Sequence, residues 1–287
     1  MANGNGDSVL VYPVGTTGNK APSQYIGGSN TELSDPDDVA LDSSGNIYVT
    51  NYSASSVTIY AAGSMGNVTP TAVIAGSSTG VDHPLGVAID ALNGDIYVGN
   101  LDAGPSGNGT ITFYAPGSNG NVEPLGTITG SNTGLGISGA LALDPSGNIY
   151  APNERSITVY AAGSVGNVAP NQTISGKSTK LEGPGQVAFD SSLNIYASNF
   201  ADNYGIYAYA AGANGNVAPI LAIAGKKTKI DNQVSGVALD ADNNIYASII
   251  NDTIAIYPAG SNGNVKPSGT INGKKTELDG PRGITIH

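Results

Sequence analysis

The stretch Tyr60-Ala61-Ala62-Gly63-Ser64-Met65-Gly66-Asn67-Val68-Thr69-Pro70 decides the fold, because its skeleton, Tyr-x-x-Gly-x-x-Gly-Asn-x-x-Pro, occurs six times, opening at Tyr12, Tyr60, Tyr114, Tyr160, Tyr209 and Tyr257. A second signature, apolar-Ala-apolar-Asp followed by a short turn and Asn/Asp-Ile-Tyr, runs through Val39–Tyr48, Val87–Tyr97, Leu141–Tyr150, Val187–Tyr196 and Val237–Tyr246. Its sixth copy opens at Gly283-Ile284-Thr285-Ile286 and stops at His287. Each unit holds four short apolar or alternating runs parted by Gly, Asn, Ser and Pro, which predicts four strands and no helix. Four strands in a period in the forties are a propeller blade.

The predicted architecture is therefore all-β: a six-bladed β-propeller of four-stranded antiparallel blades. In the first complete unit the strands fall near 37–42, 46–51, 56–60 and 71–75, with Asp42-Ser43-Ser44-Gly45-Asn46 as the first hairpin. The blades are placed at about 37–75, 85–129, 139–175, 185–224 and 235–272. The sixth is split between 1–28 and 283–287, so both chain ends close the ring. Aligning His287 with Asp42 and Asn3 with Asn51 leaves about six residues of that blade absent, its first turn and most of its second strand. That gap favours excision or rearrangement from a longer parent.

Pro84-Leu85-Gly86-Val87-Ala88-Ile89-Asp90 with Gly94-Asp95-Ile96-Tyr97-Val98 resembles the NHL repeat, and Ile47-Tyr48-Val49-Thr50-Asn51 is similar to the YVTN repeat of microbial surface proteins. The resemblance spans essentially the whole chain. It implies a propeller but not one function, since such propellers include lyases, protein-binding and RNA-binding modules and envelope proteins. Metal-dependent lyases of this kind use several inward His or acidic ligands, whereas this chain has only His83 and His287 as imidazoles.

Composition narrows the classes further. The chain of 287 residues has 41 Gly, no Cys and no Trp, which excludes a disulfide framework and a thiolate metal site. Eleven Lys plus Arg against 22 Asp plus Glu give a net charge of −11, the wrong sign for coating nucleic acid or an anionic membrane. No apolar run approaches a membrane span.

The repeated Asp42, Asp90, Asp144, Asp190 and Asp240 read as hairpin caps rather than a carboxylate ring, and the repeated tyrosines as packing. Asp240-Ala241-Asp242-Asn243-Asn244 spaces oxygen ligands like a calcium loop, but Ile245 stands where glycine is needed and Asn251 where a bidentate glutamate belongs.

The charges carry the remaining functional signal. Lys177, Lys180, Lys226, Lys227, Lys229, Lys274, Lys275 and Arg282 lie in three consecutive loops that enter inner strands, and the next loop round the ring carries Glu32, Asp35, Asp37 and Asp38. Just before the innermost strands, at the channel mouth, the six blades offer Asp37, Leu85, Gly139, Gly185, Ser235 and Arg282. The expected ligand residues on this top face are Asp37, Asp38, Arg282, Lys226, Lys227, Lys229, Lys274, Lys275 and Asp102. The last sits in the 100–110 loop, the leading candidate for a partner contact.

The resulting expectation is a monomeric, non-enzymatic binding or scaffold module for a protein, glycan or small anionic ligand, with no cofactor or metal, no nucleic-acid partner and no membrane span. Its place would be secreted or at the cell surface. The alternatives are a metal-dependent lyase or hydrolase at the channel mouth, using Asp37, Asp38 or His83, and a structural cell-envelope domain.

Overall fold

The computed structural model describes residues 1–101, 104, 108–230 and 232–286. Six antiparallel sheets stand round a central channel. The N-terminal segment forms β1 (Ala2–Asn3), β2 (Ser8–Val11) and β3 (Gln24–Gly27) of blade 6. Blade 1 is β4 (Pro36–Leu41), β5 (Ile47–Asn51), β6 (Ser56–Tyr60) and β7 (Ala72–Ile74). Blade 2 is β8 (Pro84–Ile89), β9 (Ile96–Asn100), β10 (Thr110–Tyr114) and β11 (Gly126–Ile128). Blade 3 is β12 (Ala142–Leu143), β13 (Ile149–Asn153), β14 (Ser156–Tyr160) and β15 (Gln172–Ser175). Blade 4 is β16 (Pro184–Phe189), β17 (Ile195–Asn199), β18 (Gly205–Tyr209) and β19 (Leu221–Ile223). Blade 5 is β20 (Val234–Leu239), β21 (Ile245–Ile249), β22 (Thr253–Tyr257) and β23 (Gly269–Asn272).

Blade 6 has three assigned strands, and residues 281–284 run beside β1, tied by Arg282 N–H to the Ala2 carbonyl (3.0 Å) and Ala2 N–H to the Gly283 carbonyl (2.9 Å). In blade 3 the assigned inner strand begins at Ala142, and Ala140 bridges to Gln186 of blade 4.

The hairpin aspartates do what turn chemistry asks. Asp42 Oδ1 accepts the N–H groups of Ser44 and Asn46, both at 2.9 Å, and Asp144, Asp190 and Asp240 repeat the pattern. Burial pushes the Asp240 carboxyl up slightly, but hydrogen bonds from Asn244 and Asp242 outweigh it and hold it below the usual range. Asp240 also accepts from the Asn244 amide and Tyr246 hydroxyl, so this loop is satisfied as a turn.

The six-fold motif is an inter-blade joint. Its tyrosine hydroxyl donates to a threonine carbonyl in the loop entering the same blade, as Tyr209 does to Thr179 at 2.6 Å; Tyr12, Tyr60, Tyr114, Tyr160 and Tyr257 do likewise. Burial pushes the Tyr60, Tyr114 and Tyr160 phenols up to about 12, so they remain donors at any physiological pH. The second glycine bridges in parallel to the outer strand of the preceding blade, as Gly66 does to Ile26 and Gly215 to Ile174. The asparagine Oδ1 then accepts a loop N–H, from Asn30 to Asn67 and from Ser178 to Asn216. Six apolar clusters fill the six interfaces, so the core is a ring of contacts between blades rather than one central mass.

At this joint Gly176 has φ +113°, and an added Cβ would lie 2.6 Å from Asn216 Oδ1. Gly163 has φ +72° and nothing within 4 Å of its added Cβ. Gly163→Ala should cost about 1 kcal/mol from backbone strain alone, and Gly176→Ala about 2 to 3 kcal/mol because the joint must also open. Urea unfolding midpoints of the two variants compare these costs.

Candidate functional site

The channel mouth is built from two rings of equivalent positions. The inner ring is the second residue of each inner segment: Asp37, Leu85, Gly139, Gly185, Ser235 and Arg282. In blades 1, 2, 4 and 5 the register of the inner strand shifts at this residue, a bulge that re-aims it off the regular pleat. The bulge leaves an N–H to be satisfied, and a hydroxyl on the second strand accepts it: Asp38 N–H to Thr50 (2.9 Å) and Gln186 N–H to Ser198 (2.8 Å). The outer ring is the residue that follows the second strand in blades 1 to 5: Tyr52, Leu101, Glu154, Phe200 and Ile250. Together the rings enclose a cavity of about 590 Å³, to which Asp35, Ile137 and Gln233 also contribute.

The cavity has two chemically distinct sides. Leu85, Leu101, Ile137, Phe200 and Ile250 make an apolar arc. The opposite corner is charged: the Arg282 guanidinium takes Asp35 through Nη2 at 2.8 Å and Asp37 through Nη1 in a shorter contact. One guanidinium thus serves two carboxylates, and its fork geometry suits that task. Gly4 makes room for it, since a Cβ there would lie 2.5 Å from Arg282 Nε. Burial pushes the Asp37 carboxyl up to about 6 despite the pull of Arg282.

Asp38, next in the strand, belongs to the wall below the mouth. It is 1% exposed, its Oδ2 accepts the Val87 N–H at 3.0 Å, and its Oδ1 has no hydrogen-bond partner. Burial pushes this carboxyl up to about 7, against the pull of the Val87 and Val39 backbone. Gly283 leaves it space, because an added Cβ would meet Asp38 Oδ1 at 2.1 Å.

Of the sequence-predicted residues, Asp37 and Arg282 meet as expected and Asp38 lies beneath them. Lys226, Lys227, Lys229, Lys274 and Lys275 are exposed and line no part of the mouth. Lys274 borders a separate polar depression of about 710 Å³ that also holds Asp252, Glu277 and Asp279. Asp102 lies outside the described residues. His83 turns its Nδ1 to Asp82 at 2.9 Å and packs its ring against Tyr52, with centroids 4.9 Å apart. Among the described residues no three His, Cys, Asp or Glu side chains converge as a metal site. Sequence reasoning pointed to the 100–110 loop, which carries Leu101, but named none of the outer-ring side chains and did not give Arg282 a second partner in Asp35. The signal was present as the residue after each Asn51-type position, which varies while its neighbours repeat.

The comparisons agree with this architecture. The family described as a β-propeller repeat, SBBP, matches residues 23–56. The chain is a β-propeller. Among solved structures, selenomethionine-substituted virginiamycin B lyase from Staphylococcus aureus aligns with a TM-score of 0.53 and 13% identity. The alignment covers 79% of this chain and 68% of that one, and at this identity the likeness is one of fold. No curated protein matches the propeller by sequence. Among the described residues no helix is long and apolar enough to cross a membrane.

Proposed function

We propose that the propeller is a binding module, and that its ligand is a small amphipathic molecule, or the end of a glycan or peptide, held in the mouth. The observation that carries this reading is the division of one cavity into an apolar arc and an acid-rich corner. Pockets of this size bind ligands through apolar walls and orient them through a few placed polar groups. An aryl or alkyl body would lie on Leu85, Leu101, Ile137 and Phe200, and a hydroxylated or cationic head would face Asp35, Asp37 and Arg282. The sign of the corner supports a neutral or positive head, because Asp35 and Asp37 outnumber Arg282 there. The resemblance to NHL and YVTN propellers supports binding outside the cytoplasm.

A thermal-shift panel of aryl glycosides, aryl amines and acidic peptides tests the reading. Stabilising compounds should come from the first two classes, and Phe200→Ala should weaken them about tenfold while leaving the protein folded. If only acidic peptides stabilise, and Ala at Lys226, Lys227 and Lys229 removes the effect, the ligand belongs to the lysine loops and the mouth reading fails.

A further inference from the structure

The outer strand of every blade is built round one buried isoleucine: Ile26, Ile74, Ile128, Ile174, Ile223 and Ile271. In five blades the residue before it is small or β-branched, namely Val73, Thr127, Thr173, Ala222 and Thr270. The residue after it there carries a side chain of its own, in Ala75, Thr129, Ser175, Ala224 and Asn272. Blade 6 breaks both places at once, with Tyr25 and Gly27. Strand alternation puts these two on one face, opposite Ile26, which packs into the interface with blade 1. They therefore face blade 5.

The two departures fit each other. A Cβ on Gly27 would lie 2.5 to 2.7 Å from the Tyr25 hydroxyl, Cζ and Cε1, so glycine is what lets the ring lean along the strand. The ring rests there 39% exposed, and among the described residues its hydroxyl has no hydrogen-bond partner. One exposed aromatic is ordinary. This one borders the polar depression of about 710 Å³, whose other walls are the turn between β21 and β22 and the loop after β23. Those segments bring Asp252, Lys274, Glu277 and Asp279 to it. Asp252 Oδ1 accepts the Gly280 N–H at 2.9 Å, while among the described residues Lys274, Glu277 and Asp279 form no ion pair.

The depression thus offers one aromatic face, carboxylate oxygens that accept and an ammonium that donates. A pyranose matches that set, because one face of its ring is made of C–H groups and the hydroxyls on its rim both donate and accept. An apolar ligand would find only Tyr25 and Leu278 to rest on. Three carboxylates against one ammonium favour a neutral sugar over an acidic one.

We propose that this depression is a saccharide site that takes a neutral pyranose unit of a glycan, its C–H face on the Tyr25 ring and its hydroxyls on Glu277, Asp279 and Lys274. It shares no residue with the mouth, and it stands or falls apart from the ligand proposed there.

The test titrates the 287-residue protein with the methyl pyranosides of glucose, galactose and mannose, followed by saturation-transfer NMR and by tyrosine ring resonances. At least one should bind at millimolar concentration and shift the ring signal that Tyr25→Phe removes. Tyr25→Phe keeps the aromatic face and should bind within about threefold of the parent, whereas Tyr25→Ala should bind about tenfold more weakly with Tm changed by no more than about 2 °C. Methyl glucuronide should bind about tenfold more weakly than methyl glucoside, through repulsion by the carboxylates. Phe200→Ala, in the mouth, should leave the response unchanged. Absence of any response to all three sugars at about 100 mM overturns the proposal, since pockets that orient a sugar bind it well below that level. Undiminished binding by Tyr25→Ala overturns it too, as does equal binding of the glucuronide. A response lost in Phe200→Ala and kept in Tyr25→Ala overturns it in favour of the mouth.

Discussion

Asp38→Asn raises stability by about 3 kcal/mol at pH 8 and leaves it nearly unchanged at pH 4. In the folded chain this carboxyl keeps its proton up to about pH 7, because burial in the channel wall disfavours the anion more than the Val87 and Val39 backbone stabilises it. In the unfolded chain it loses the proton near the ordinary value of about 4. Between those two values the folded chain binds more protons than the unfolded one. Stability therefore falls as pH rises through this window and levels off above it. Asparagine keeps an acceptor for the Val87 N–H and carries no charge, so it removes Asp38's share of the slope. Asp37, pushed up to about 6, retains its own share because Arg282 opposes burial without overcoming it. Chemical denaturation of both proteins at pH 4 and pH 8 measures the difference. Equal destabilisation of the variant at both pH values would show that the carboxylate has a partner worth more than its desolvation.

The second large effect concerns the tyrosine joint. Tyr209 is fully buried and its hydroxyl donates to Thr179. Tyr209→Phe should cost about 1 to 2 kcal/mol by leaving a buried carbonyl unpaired. Tyr209→Ala should cost about 4 kcal/mol, since it also empties the space between blades 3 and 4. Tyr114, Tyr160 and Tyr257, with the same burial and the same kind of partner, should give the same pair of values within measurement error. Tyr12 is half-buried, and Tyr12→Ala should cost clearly less. Urea midpoints across the series test this; a Tyr12→Ala cost equal to the others would mean that Tyr12 is as buried in solution as its counterparts.

The fold was legible because its joints are local and repeated. Tyr209, Gly215 and Asn216 stand at fixed offsets, and each makes a contact that its residue type alone announces: a buried hydroxyl with one partner, a positive φ, a short amide reaching one loop. Asp42 was legible for the same reason, since an aspartate capping its own hairpin answers to neighbours two and four residues away. The truncation of β12 was not legible. Ala140 turns towards Gln186, a partner 46 residues on, and no pattern within blade 3 marks that choice.

The candidate site was legible only where it broke the repeat by charge. Asp37 and Arg282 stood out as opposite signs at equivalent places. Tyr52, Leu101, Glu154, Phe200 and Ile250 have no common chemistry, so only their shared place after each Asn51-type position marks them as one rim. The lysines cluster along the chain because the loops recur once per blade, and each loop carries its own lysines on the exposed surface, outside the mouth.

The pairing of Ala2 with residues 282 and 283 also gives the molecule a mechanical weak axis. Tension applied between those two segments would act on three backbone hydrogen bonds, including Gly4 N–H to the Gly280 carbonyl, and open them one after the other, as a zip. The same force directed across the sheets of blades 1 and 2 would meet ladders of several bonds loaded side by side. A propeller built this way yields first at its seam, and the other five blades would keep their shape while blade 6 gives way.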